Sequence, residues 1–89
     1  MESIMHNGDS CYICGSYATE THHCLHGTAN RKLADKDGLT VRLCRTCHMN
    51  LHDKGWYDID LKKLAQQRWM EYYERSVDEF RERYGKSYL

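Results

Sequence analysis

Two Cys-x-x-Cys turns, Cys11-Tyr-Ile-Cys14 and Cys44-Arg-Thr-Cys47, carry four of the five cysteines in this 89-residue chain. Two residues between cysteines let both thiolates of a turn meet one ion while backbone amides point toward the sulfurs. Four thiolates in a tetrahedron make a closed, structural site suited to Zn²⁺. Iron accepts the same ligand set and a lone CxxC serves redox chemistry, but the ligand type favours zinc. Cys24 has no such partner and reads as a small buried hydrophobe.

Beside the cysteines stand His22-His23 and His48-x-x-x-His52. Positions four apart share a helix face, so His48 and His52 can ligate one ion. The earlier pair supplies a third nitrogen. Neighbouring strand residues face opposite ways, so one of His22 and His23 binds metal while the other meets substrate or water. Spacing alone does not choose between them. His6 and His26 read as incidental, with His26 an outside candidate for a phosphate contact.

The elements that must position these groups follow from local pattern. Ala18 to Leu25 reads as a first strand, 26–30 as a loop, and Arg31 to Lys36 as one or two helical turns stopped by Asp37-Gly38. Leu39 to Leu43 alternates as a second strand. A helix opens at Thr46 or Cys47, passes His52 and stops at Lys54-Gly55. Leu61, Leu64, Ala65, Trp69 and Tyr72 recur with helical period after a cap at Asp58 or Asp60, and Val77, Phe80 and Tyr84 mark a last short helix ended by Gly85. The class is α+β. The division expected is a flexible polar lead over 1–10, a zinc-stapled core over 11–55, and a helical extension over 56–89 packed on that core as one domain. The aromatics of the extension read as packing, with base stacking a secondary use.

So short a chain buries a limited core, and a metal is a common supplement. An odd cysteine count and no basic-then-apolar leader argue against a disulfide framework and for a cytoplasmic setting. Mean hydropathy is −0.85 and no apolar run spans a bilayer, so no membrane partner is expected. Net charge is zero, but it is unevenly placed. Residues 1–21 hold Glu2, Asp9 and Glu20 without a basic residue. Residues 22–54 hold Arg31, Lys32, Lys36, Arg42, Arg45 and Lys54 against Asp35, Asp37 and Asp53, a net of +3 on the segment richest in histidine. That is where a phosphate would be held.

Thr21-His22-His23, Leu43-Cys44-Arg45-Thr46-Cys47-His48 and His52 resemble the HNH endonucleases of ββα-metal (His-Me finger) fold, including members pinned by two CxxC turns. The stretch Asn30-Arg31-Lys32 to Gly38-Leu39 and the ending Phe80 to Leu89 are also similar to small HNH proteins of phages and bacteria. The resemblance implies His22, His48 and His52 as ligands of a catalytic metal and His23 as general base. Leu39 stands about where the family places a base-orienting asparagine, and Asn30, earlier in the loop, is this chain's candidate for that role.

The implied activity is one-metal hydrolysis of nucleic-acid phosphodiesters, with DNA the expected partner and a homodimer compatible. An ion in that set stabilises charge on the phosphate and the leaving 3′ oxygen. Neutral His23 takes a proton from the attacking water. Arg31 is preferred over Arg42 and Arg45 for holding the phosphate. Three imidazoles favour Zn²⁺, Ni²⁺, Co²⁺ or Mn²⁺; Mg²⁺ or Mn²⁺ would follow if Asp37 or another carboxylate joined. The competing expectation is a non-catalytic zinc module that binds nucleic acid or protein, and such a module needs no second, open metal site. A thiol oxidoreductase needs neither a second CxxC nor four histidines.

Overall fold

The computed structural model describes residues 2–89 as β1 (Glu20–His23), α1 (Thr28–Asp37), β2 (Thr40–Leu43), α2 (Arg45–Lys54), α3 (Asp58–Tyr73) and α4 (Val77–Tyr84). The two strands pair antiparallel, with Glu20 opposite Leu43 and His22 opposite Val41. Strand alternation turns Val41 and Leu43 inward on β2 and buries His22 on β1. The strands are shorter than the Ala18–Leu25 and Leu39–Leu43 runs expected, because only four residues of each find ladder partners.

The link between the strands is mostly helix. α1 starts at Thr28, so the loop expected over 26–30 is largely absorbed into it. It ends at Gly38, whose φ of 77° is the left-handed conformation that releases the chain into β2. A side chain at this glycine would also collide with the lead, since a Cβ there would lie 2.5 Å from the Glu2 carbonyl oxygen. Residues 3–5 of the lead pack against this part of the fold. Ile4 donates its amide to Gly38 at 2.9 Å, Ser3 Oγ donates to the Thr40 carbonyl, and Ile4 and Met5 pack on the core. Met1, the first residue of that lead, lies outside the described residues.

Leu25, Leu39, Leu43, Leu51, Leu61, Ala65 and Phe80 form one core between the sheet and the helices. Each large side chain fully withdrawn from water contributes ~1.5–3 kcal/mol. α4 is started by a capping box in which the Ser76 hydroxyl accepts from the Glu79 amide and the Glu79 carboxylate accepts from the Ser76 amide. Phe80 stacks on Tyr84 and meets the Trp69 ring edge-on, locking α4 against α3.

Asp37, the last residue of α1, ties that helix to α3 and α4. Its carboxylate accepts from Trp69 Nε1 at 2.9 Å, from Arg83 Nε and a terminal Arg83 nitrogen at 2.6 and 2.8 Å, and from the Tyr84 hydroxyl at 2.6 Å. Four donors occupy its oxygens, so Asp37 is not the carboxylate that would bring Mg²⁺ into the histidine set.

Candidate metal centres

The first CxxC turn closes on itself, with the Gly15 amide donating to the Cys11 carbonyl at 2.9 Å. It is fastened to the sheet where Tyr12 donates its amide to Arg42, two residues before Cys44. The second turn is the start of α2: the Cys44 sulfur caps the helix by accepting from the Cys47 amide. The four sulfurs of Cys11, Cys14, Cys44 and Cys47 lie within 4.8 Å of one another. Cys14 and Cys44 Sγ are 3.7 Å apart, against ~3.8 Å for two thiolates bonded at ~2.3 Å to one tetrahedral zinc. These thiols are placed to hold a structural metal such as zinc.

Their acidities fit that role. Burial opposes ionisation of Cys11, but amides of Cys14, Cys44 and Ile13 outweigh it and hold its pKa below the ordinary thiol value. The Ser16 hydroxyl and amide lower Cys14, and the Cys47 amide lowers Cys44. Cys47 is pushed up by burial and by the three neighbouring sulfurs. Four negative sulfurs so close need a cation among them, and its binding expels the last proton. Cys24 is fully buried in the core, where burial raises its pKa and keeps it a thiol.

The second cluster is built by β1 and α2. Glu20 and His22 are two apart on the strand and share the face toward α2. His48 and His52 are one turn apart on the helix. One ring nitrogen from each of His22, His48 and His52 falls within 4.8 Å of the others. Ring centres lie 5.3 Å (His22–His48), 5.6 Å (His22–His52) and 4.7 Å (His48–His52) apart. Imidazoles sharing a tetrahedral zinc at ~2.0–2.1 Å have centres ~5.2 Å apart. His48 Nδ1 meets Glu20 Oε1 at 2.8 Å, so its Nε2 faces His52 Nε2 at 3.0 Å.

His22 is the most telling member. It is 2% exposed, and its Nε2 has no hydrogen-bond partner among the described residues. A buried ring nitrogen left so costs ~1–3 kcal/mol unless something binds it. Burial first, then the neighbouring His48, His52 and His26, depress its pKa to about 3, so it stays neutral with a lone pair to give. The donor set fits a divalent ion.

The remaining expected residues divide. His22, His23, His26, Arg31, His48 and His52 line one open cavity of about 140 Å³. His23 projects from the other strand face, with Nε2 3.2 Å from Asp35 Oδ1 on α1. Asn30 does not join them: as a helical residue it donates its side-chain amide to the Tyr84 carbonyl at 3.1 Å. Arg42 donates to the Thr19 carbonyl, and Arg45 is exposed at the start of α2. His6 binds the Ser10 carbonyl, away from the cluster.

Three carboxylates escaped the sequence reading: Glu20 on His48, Asp35 on His23, and Asp58 on His26 at 3.0 Å. Only Glu20 carried a local signal, its two-residue offset from His22. A larger cavity of about 470 Å³ lies by Trp69, Tyr73 and Arg75, but its only buried carboxylate is the already saturated Asp37. Among the described residues no helix is long and apolar enough to cross a membrane. Comparison of the chain with protein-family models, curated proteins and solved structures gives no match.

Proposed function

We propose that this chain is a metal-dependent endonuclease of HNH type that hydrolyses nucleic-acid phosphodiesters, DNA being the expected substrate. The observation that carries the reading is the buried, unpartnered Nε2 of His22 set beside His48 and His52 on an open cavity. The order of two antiparallel strands, β1 and β2, followed by α2 also supports this reading.

In this reading His22, His48 and His52 hold the catalytic ion, and the four cysteines hold a separate structural zinc. The ion, when bound, supplies Lewis-acid stabilisation of charge on the phosphate. His23 is the general base. With Nε2–H donated to Asp35, its Nδ1 is left to accept a proton from the attacking water. Asp35 thus orients the base, the task that the resemblance gave to an asparagine. Arg31, exposed on the same cavity, meets the phosphate. Buried His22 stays neutral and keeps a lone pair for the ion.

The test is nicking of supercoiled plasmid with Mn²⁺, Ni²⁺, Zn²⁺ or Mg²⁺. His23→Ala should lower the rate ~10²–10⁴-fold, the contribution of a positioned base, while leaving metal content intact. Equal nicking by both proteins would remove His23 from the role. No nicking with any metal, in a chain holding one tight zinc, would favour a non-catalytic binding module.

A further inference from the structure

His26 lies between fully buried Leu25 and Gly27, which caps α1 with a φ of 98°. The resemblance assigns it nothing, yet its ring centre is 6.1 Å from His22 and 6.3 Å from His52. Those separations are about 1 Å beyond the ~5.2 Å of rings sharing a tetrahedral ion. His26 therefore stands just outside the three-histidine set, on the cavity that the three ligands line.

One of its ring nitrogens is held by a carboxylate, as in an assigned ligand. His48 gives one ring nitrogen to the Glu20 carboxylate and turns the other to the cluster. His26 gives Nε2 to Asp58 Oδ1 at 3.0 Å, which leaves Nδ1 as its donor atom. Asp58 is itself fixed, its second oxygen 2.9 Å from Lys62 Nζ at the start of α3. Metal-binding imidazoles are commonly oriented by such a carboxylate on the far nitrogen.

We propose that His26, oriented by Asp58, is a fourth and displaceable ligand of the histidine centre, closing it at rest and yielding its place to a phosphate oxygen. The inference rests on the three-histidine site of the proposed function and adds a resting state to it. A movement of the His26 ring toward the other three would bring its free nitrogen into their set. An anionic oxygen of a phosphodiester, or of inorganic phosphate, then exchanges with a neutral nitrogen without any change in the other three ligands.

Co²⁺ added to protein already carrying zinc at its cysteines reports the second site by its visible absorption, with no need of activity. Wild type should take up one Co²⁺ with the intense bands of a four-coordinate site. His26→Ala should bind it at least ~10-fold more weakly, with weaker bands as water enters. Asp58→Asn, which keeps the imidazole, should fall between them. Inorganic phosphate should shift the wild-type spectrum more than that of His26→Ala. Circular dichroism and retained zinc establish that each variant is folded, and His26→Gln replaces any that is not. Identical affinity and spectra in wild type and His26→Ala would overturn the inference alone, leaving a surface ion pair between the β1–α1 loop and α3. Failure of wild type to bind a second Co²⁺ at all would overturn the three-histidine centre as well.

Discussion

Glu20 Oε1 accepts from His48 Nδ1 at 2.8 Å, and this contact between β1 and α2 fixes which nitrogen of His48 faces the cluster. The strand that supplies His22 also supplies, two residues earlier, the carboxylate that aims its fellow ligand. One short strand thereby sets two corners of the site.

Replacing Glu20 with Gln should weaken the second ion ~10–100-fold, the usual effect of losing a carboxylate behind a ligating imidazole. The cysteine-bound zinc should be unaffected. Competition titration with a chromophoric chelator measures both in one experiment.

Loss of the cysteine-held metal should unfold the chain, because a core this small depends on the cross-link between the lead turn and α2. Cys47→Ser should leave little folded protein by circular dichroism. Cys24→Ala, in contrast, should lower stability by only ~1 kcal/mol, as for trimming a small buried group, and should retain full zinc content.

Asp37→Ala should lower stability by about 3 kcal/mol, since it strands Arg83, Trp69 Nε1 and the Tyr84 hydroxyl together. The low end of the range for broken ion pairs applies because the Arg83 side chain is 35% exposed. In a domain of this size the melting temperature should fall by more than ~10 °C. At low temperature the metal content should be unchanged, as Asp37 touches neither centre.

His22 gives stability a defined pH slope. Its folded-state pKa is pushed down to about 3 by burial, against ~6.5 in the unfolded chain. Between those values the unfolded state binds the proton that the folded state refuses. The stability it contributes is therefore complete above pH ~6.5 and declines as pH falls toward 3, by up to ~1.4 kcal/mol per unit. Urea titrations of protein loaded only at its cysteines, taken down to the pH at which that zinc is released, should show the start of this decline, and His22→Asn should have a shallower one.

Much of this architecture is legible in the sequence where the signal is local. The CxxC turns, the four-residue spacing of His48 and His52, and the Gly38 and Gly55 helix stops depend on near neighbours, and all are found where expected. Contacts that span the chain are not legible. Asp37 looks like a turn residue, yet its partners are 32 to 47 residues away. Asp58 reads as a helix cap, and its bond to His26 is a product of how α3 returns to the sheet. Asn30 was expected in a loop; once α1 begins at Thr28, helical geometry carries its side chain to Tyr84 and away from the histidines.

The central claim is that the chain holds two ions in separate nitrogen and sulfur sites. Native mass spectrometry after reconstitution with zinc counts them directly. Two ions should be bound by wild type and one by the double variant His22→Ala, His48→Ala, with the remaining ion resisting mild chelation. A single ion in wild type, or two in the double variant, would contradict the account.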